Sequence, residues 1–241
     1  MILIIMPWGR VGSNLINSIL SQHLKPINGC VYNEPTTGLQ TRNRGQGAQA
    51  IAVAQARWWE TFAAECEENS AIAANVSIAS IEEVNWFISC VEESTAKVIY
   101  LDRINVVKTA VSSIKAQQYS RHSEKMYGKP SWEIPVGREP LKEFYVDPEQ
   151  LVNSIQRLER HRANQRRLQS LCPGLNINYE ELAPDIPTAI RRITDYLKIP
   201  AREYKINSIK ATANDLQNEI INFSEVLDRL PVDYQSQLLA K

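Results

Sequence analysis

The distribution of apolar positions predicts short buried strands that alternate with longer helices. The first apolar run, Ile2 to Met6, is uninterrupted and rich in isoleucine, which is typical of a strand buried on both faces of a parallel sheet. Pro7 ends this run because proline has no N–H to donate to a neighbouring strand. A helix from Leu15 to His23 follows, and Ser13 or Asn14 can serve as its N-terminal cap.

The same alternation continues to the end of the chain and predicts an α/β fold with a central parallel sheet flanked by helices. At 241 residues, the chain has the length of one such domain, spanning 1–241. A second strand is expected within Pro26 to Tyr32, a mobile loop over Thr37 to Gly47, and an irregular segment over about 120–147. Further strands are predicted at Ala71–Ile78, Lys97–Leu101 and Leu175–Tyr179, and helices at Ala48–Glu68, Glu82–Glu93, Val106–Tyr119, Pro148–Leu171 and Pro187–Leu197.

Charge and cysteine usage narrow the classes of function. The chain has 27 basic and 27 acidic side chains, so its composition does not favour nucleic acid or an anionic membrane as a partner. The arginines of the predicted 148–171 helix are interpreted as a solvated basic face. The four cysteines form no CxxC pair and are interpreted as reduced thiols. No apolar run approaches the roughly 18–20 residues of a membrane span, and a signal peptide is not expected, so a cytoplasmic location is the default interpretation.

The loop after the first strand has the features of an anion site. Gly9 and Gly12 bracket Arg10 between the strand and the helix. A strand, a glycine-bearing loop and a helix together aim backbone N–H groups and the positive end of a helix dipole at one point, where phosphate or sulfate binds well. The loop is not a Walker A motif, because its basic residue precedes the second glycine. An ordinary strand-to-helix turn is the alternative interpretation.

A second basic residue follows the strand at Lys97–Leu101. Arg103 comes directly after that strand, and Ser112 lies nine residues later in the predicted helix. The carboxyl ends of strands in an open α/β sheet face the ligand crevice, so we expect Arg103 to face it as well. The alternative is a salt bridge between Arg103 and Asp102 at the start of the helix.

These two motifs resemble those of sulfotransferases that use 3′-phosphoadenosine-5′-phosphosulfate (PAPS), and are most similar to the trehalose-sulfotransferase-like bacterial branch. The resemblance implies a P-loop-like sulfotransferase fold and transfer of a sulfuryl group to an acceptor hydroxyl, on a carbohydrate or a glycolipid. It implies that the 5′-phosphosulfate loop consists of Arg10, Val11, Gly12, Ser13 and Asn14. Asn14 stands where the family frequently has threonine.

The resemblance also implies how the rest of the donor is bound. Arg103 and Ser112 would bind the 3′-phosphate, although the commoner spacing in the family would place Ile104 where Arg103 serves here. Tyr179 would lie beside the adenine. Lys210 and Thr212, in a late loop, would close over the 3′-phosphate. A ligand with a charge at each end of the adenosine matches two anion sites better than ATP does.

In the trehalose-sulfotransferase-like branch, a glutamate in a similar place serves as the base. The resemblance therefore proposes Glu34 as the base in this chain. The alternative is that Glu34 is an exposed carboxylate in a turn. His122 is a rival base. The irregular segment with Tyr127 and Trp132 is expected to be an acceptor lid. No metal is expected, and a homodimer is expected by analogy.

Two other functions remain open: an ATP-dependent small-molecule kinase, and a non-catalytic module that binds nucleotides or glycans.

Overall fold

The structure, a computed structural model, describes residues 1–68, 71–128, 134–135, 137–206, 208–209 and 215–240. The chain divides into two compact units, each described here by itself. The first unit comprises Met1–Ile104 and His161–Lys205, and the second comprises Asn105–Arg160 and Ile206–Lys241. The expectation of a single domain over 1–241 stays a prediction.

The first unit contains the parallel sheet. Its strands are β1 (Ile2–Pro7), β2 (Gly29–Asn33), β3 (Ala71–Asn75), β4 (Lys97–Asp102) and β6 (Leu175–Asn178). Its helices are α1 (Ser13–Leu24), α2 (Pro35–Asn43), α3 (Ala48–Glu68), α4 (Val84–Glu93), α7 (Tyr179–Leu182) and α8 (Ile186–Leu197). Helix α6 (Pro148–Leu171) enters this unit at His161.

The strand order is β2-β3-β1-β4-β6, and all four neighbouring pairs are parallel. The chain therefore leaves β1 toward one edge of the sheet, to reach β2, and leaves β4 toward the other edge, to reach β6. Diverging connections of this kind open a crevice outside the carboxyl ends of the two strands. The α/β class with a central parallel sheet flanked by helices, predicted from the apolar pattern, is confirmed.

Burial explains why the sheet forms where it does. The side chains of Leu3 to Met6 in β1 and of Ile72 to Ala74 in β3 are fully buried, as expected for strands with helices on both faces. The first apolar run is thus a central strand, as predicted.

The second unit is mainly helical. It contains α5 (Val106–Tyr127), the first part of α6, β5 (Ile134–Pro135), β7 (Ser208–Ile209), α9 (Phe223–Arg229) and α10 (Val232–Leu239). Lys115 of α5 is buried and forms an ion pair of 2.7 Å with Glu219. Asp147 caps α6, since its carboxylate accepts hydrogen bonds from the N–H groups of Glu149 and Gln150. The predicted start of that helix is confirmed.

Two predicted boundaries are wrong. The segment predicted as a mobile loop from Thr37 to Gly47 is largely helical, because Pro35 opens α2 at the first helical position and the N–H of Gly38 donates to the carbonyl of Glu34. Helix α5 continues to Tyr127 rather than ending at Tyr119.

Candidate active site

The loop between β1 and α1 is held open by a left-handed glycine. Gly12 has φ 88° and occupies the N-cap position of α1. A Cβ atom at this position would lie 2.9 Å from the Cδ2 atom of Leu182, so a larger residue would be strained at this φ and would have to move the Leu182 side chain. The sequence-based expectation that Ser13 or Asn14 caps the helix is not met, because the cap residue is Gly12 and makes no side-chain cap bond.

Arg103 lies at the carboxyl end of β4 and is almost fully buried, with 5% exposure. Its guanidinium stacks on the ring of Tyr179 at 4.5 Å from the ring centroid, and its Nη1 atom donates to the carbonyl of Arg10 at 3.3 Å. Its Nε atom is buried and has no hydrogen-bond partner among the described residues. A buried guanidinium with an unused donor is the type of group that binds an oxyanion.

The charge of Arg10, whose backbone carbonyl accepts from Arg103, also acts on Arg103 and on Tyr179. Burial lowers the pKa of the Arg103 guanidinium, and repulsion from Arg10 lowers it further, against the opposite influence of Tyr179 and Glu180. Burial raises the pKa of the Tyr179 hydroxyl, while the charges of Arg103 and Arg10 oppose that rise. The two predicted anion-binding arginines therefore form one basic cluster around the ring of Tyr179, at the ends of β1, β4 and β6.

Asp102 does not form the alternative salt bridge with the guanidinium of Arg103. Its Oδ1 atom accepts from the backbone N–H of Arg103 at 2.7 Å and from the Nε1 atom of Trp8 at 2.8 Å. Its ionic partner is Arg162 of α6, whose Nε atom lies 3.3 Å away and whose side chain is only 13% exposed. Asp102 thus binds the backbone N–H of Arg103 and the side chains of Trp8 and Arg162, and leaves the Arg103 guanidinium for the cluster.

This role of α6 was not predicted from the sequence. Arg162 belongs to the run of arginines interpreted as a solvated face, and for this residue that interpretation is wrong. One turn further on, the Nε2 atom of Gln165 donates to the carbonyls of Met6 and Leu101, so α6 ties the ends of β1 and β4 together. The spacing of Arg162 and Gln165 is a helical repeat, but nothing in the sequence identifies the strand carbonyls as partners.

Glu34 comes directly after β2, so it lies on the side of the sheet where the carboxyl ends of the strands are. Two strand spacings, about 10 Å, separate β2 from β1. Glu34 adopts a left-handed conformation, with φ 48° and ψ 49°, and occupies the N-cap position of α2. Its N–H donates to the carbonyl of Asn75 at 3.1 Å. Its role as a base stays a prediction.

Three asparagines that the sequence analysis did not single out meet beside Glu34. The Oδ1 atom of Asn33 accepts hydrogen bonds from the Nδ2 atoms of Asn17 at 2.8 Å and Asn75 at 3.2 Å. We call these three residues the asparagine cluster. They come from α1, β2 and β3, and no sequence spacing links them.

The other predicted site residues lie elsewhere or outside the described residues. Ser112 is buried in α5 and His122 is exposed on the same helix, both in the second unit. Trp132, Lys210 and Thr212 lie outside the described residues, so their predicted roles stay predictions. Val11 is buried, and Asn14 in the first turn of α1 has a buried Oδ1 atom without a hydrogen-bond partner in the described chain.

The residues that the structure describes contain no group of three or more His, Cys, Asp or Glu side chains arranged to hold a metal ion. None of their helices combines the length and the apolar character needed to cross a membrane.

No model of a known protein family matches the chain, and no curated protein matches it. Among solved structures, the chain is similar to a sulfotransferase from Alicyclobacillus acidocaldarius, at 15% identity and a TM-score of 0.49, over 99% of this chain and 96% of that one. It is similar to the sulfotransferase domain of the Synechococcus PCC 7002 olefin synthase, at 16% identity and a TM-score of 0.46, over 98% and 91% of the two chains. It is also similar to a shikimate kinase from Bacteroides thetaiotaomicron, at 12% identity and a TM-score of 0.46, over 82% and 98%. These TM-scores are below 0.5 and the neighbours include two classes of enzyme, so the similarities do not decide the activity of this chain.

Proposed function

We propose that this chain is a PAPS-dependent sulfotransferase, which moves a sulfuryl group from PAPS to a hydroxyl of a carbohydrate or glycolipid acceptor. The observation that carries the proposal is the basic cluster of Arg10, Arg103 and Tyr179 at the carboxyl ends of β1, β4 and β6. Two arginine charges that repel each other beside a half-buried ring are stabilised by anions bound next to them. The donor supplies such anions at its 5′-phosphosulfate and 3′-phosphate.

The 5′-phosphosulfate would occupy the loop at Gly12. The first turn of α1 offers N–H groups that have no helical carbonyl partner, and the positive end of the helix dipole adds to their attraction for an anion. Ser13 and Asn14 begin that turn, and the neighbouring Val11 completes the loop. Gly12 gives the loop its left-handed turn into α1, and a side chain there would meet Leu182.

In the proposed reaction, the bond between sulfur and the bridging oxygen of the 5′-phosphate breaks, and a bond between sulfur and the acceptor oxygen forms. Arg10 would neutralise the negative charge that develops on the leaving phosphate. Glu34 would take the proton of the acceptor hydroxyl, and 3′-phosphoadenosine-5′-phosphate (PAP) would leave. As in phosphoryl transfer, positioning and charge stabilisation supply most of the rate.

The 3′-phosphate would be bound by Arg103 with Ser112, and Tyr179 would lie beside the adenine. The unused Nε donor of the buried Arg103 supports this assignment, because an oxyanion would satisfy it. Lys210 and Thr212 are proposed to close over the same phosphate.

Calorimetric titration with PAP tests the proposal, with AMP and Mg-ATP titrated in parallel. We expect tight binding of PAP and little response to AMP, because AMP lacks the 3′-phosphate. A preference for Mg-ATP would favour the kinase alternative and contradict the proposal. PAP binding without any turnover of PAPS would favour a non-catalytic module.

A further inference from the structure

Glu34 adopts a backbone conformation that its local sequence opposes. A left-handed φ of 48° is unfavourable for an L-residue that carries a Cβ atom and lacks the short polar side chain that eases this conformation in asparagine. The following residue is Pro35, and a residue before proline is normally driven to the extended region. Of the four non-glycine residues with positive φ in the described chain, only Glu34 precedes a proline. Its surroundings therefore impose the conformation.

The asparagine cluster adjoins Glu34 through the chain at Asn33 and through the backbone carbonyl of Asn75. Asn33 and Asn75 are register partners at the ends of β2 and β3, so their side chains lie side by side on one face of the sheet. The carboxamides of Asn17 and Asn75 both donate to the Oδ1 atom of Asn33, which fixes this side chain to α1 and to β3. The next residue, Glu34, is held by the carbonyl of Asn75 at its N–H and by the N–H of Gly38 at its carbonyl.

The cluster is not explained by stability. The Asn75 side chain is fully buried and that of Asn17 is 6% exposed, yet the Oδ1 atom of each has no hydrogen-bond partner in the part of the chain that the structure describes. A buried acceptor without a donor is destabilising. Two such acceptors and a disfavoured backbone conformation are joined through the hydrogen bonds of Asn33 and Asn75, which is typical of a site that is retained for function.

We propose that Asn17, Asn33 and Asn75 are positioning residues, which act together as a clamp that holds Glu34 in the orientation it needs as the base. The proposal rests on the proposed function, because it assumes that Glu34 takes the acceptor proton. Rates of general-base catalysis depend steeply on geometry, and a displacement of about 1 Å can lower the rate about 10²-fold.

The test compares two substitutions of Asn33 that differ in their hydrogen-bonding capacity. Asn33→Ala removes the acceptor that joins Asn17 to Asn75, and we expect kcat for PAPS turnover, with trehalose as the probe acceptor, to fall by about 10-fold or more. The KM for PAPS should stay unchanged, because the basic cluster is not altered. Asn33→Asp keeps an oxygen that accepts both bonds, so it should retain most of the activity.

The pH profile separates a positioning role from a merely structural one. The carboxylate of Asn33→Asp adds a negative charge next to Glu34 and disfavours its ionisation. We therefore expect the acidic limb of the pH–rate profile to move to higher pH in this variant. Asn85→Ala, which removes an exposed asparagine of α4, is the matched control and should leave the rate and the profile unchanged.

A structural readout keeps the clamp testable if trehalose is not an acceptor. Crystal structures of the wild type and of Asn33→Ala and Asn75→Leu give φ at Glu34 directly. We expect a positive φ in the wild type and a shift to the extended region in both variants. A positive φ retained in both variants, or wild-type kcat in Asn33→Ala when the wild type is active, would overturn the clamp. Failure of the wild type to bind PAP would instead overturn the proposed function, and φ at Glu34 would still decide the clamp.

Discussion

The loops after β1 and β2 both end in a left-handed residue at the N-cap of a helix, but they reach this conformation in different ways. After β1, the residue is Gly12, with φ 88°. Glycine adopts such a φ at little cost. After β2, it is Glu34, with φ 48°, followed by a proline. In the first loop the local sequence and the conformation agree, whereas in the second they conflict.

The two loops also differ in what surrounds them. The first loop lies among charged groups, with Arg10 and Arg103 around the ring of Tyr179. The second loop is held by neutral carboxamides, two of which leave buried oxygens unpaired within the described residues. Conflict between local preference and global structure is expected at functional sites. This difference matches the proposed roles, in which the first loop binds an anion and the second orients one carboxylate.

The largest expected effect comes from removing the charge in the first loop. Arg10→Ala should lower kcat for PAPS turnover by about 10²–10³-fold, because charge on the leaving phosphate loses its stabilisation. Thermal unfolding should show that the fold is intact. Arg57→Ala, at an exposed position of α3, is the control for loss of a positive charge. Undiminished turnover in Arg10→Ala would show that the arginine has no role in transfer.

The second loop is tested by removing only the charge of its glutamate. Glu34→Gln keeps the size and the backbone preference of the side chain but cannot take a proton. Turnover should fall by about 10²-fold, while the affinity for PAP measured by calorimetry should stay the same. If the variant retains its activity, another residue is the base, and His122→Ala is the next variant to measure.

Arg103 separates donor binding from chemistry. Arg103→Ala should weaken PAP binding by about 10–100-fold, since a charge-assisted hydrogen bond to a buried group contributes about 1.5–3 kcal/mol. AMP binding should change much less, so the preference for PAP over AMP should be lost. Equal weakening for both ligands would place Arg103 at the 5′-phosphate instead, beside the carbonyl of Arg10 that it contacts.

The first loop was largely predictable from the sequence. The apolar run of β1, the glycine at 12 and the basic residues after β1 and β4 lie close together in the chain or follow recognisable strands, so local rules locate them. The sheet follows from the same reasoning, because buried strands that alternate with helices favour parallel pairing. The sequence did not show that Arg10 and Arg103 share one cluster, since that depends on β1 and β4 being neighbours.

The second loop was not predictable in the same way. Asn17, Asn33 and Asn75 are brought together only by the pairing of β2 with β3 and by the packing of α1. Asparagine is common at turns and strand ends, so none of the three stands out alone. Local rules also predict an extended conformation for Glu34, which precedes a proline, and the tertiary structure overrides them.

The smallest expected effect compares the two loops directly through their stability. Gly12→Ala should lower the free energy of unfolding by about 1–3 kcal/mol, because alanine is strained at φ 88° and its Cβ would meet Leu182. Glu34→Gly should raise it by about 0.5–1 kcal/mol. Glycine removes the strain of a left-handed residue with a Cβ atom, which costs the folded state about 1–2 kcal/mol. This gain exceeds the entropy that glycine loses on folding, about 0.5–1 kcal/mol. Urea denaturation of both variants and the wild type measures the two changes. Opposite signs would support a Glu34 that is held against its local preference, whereas a loss of stability in Glu34→Gly would mean that the interactions of the Glu34 side chain outweigh the backbone strain.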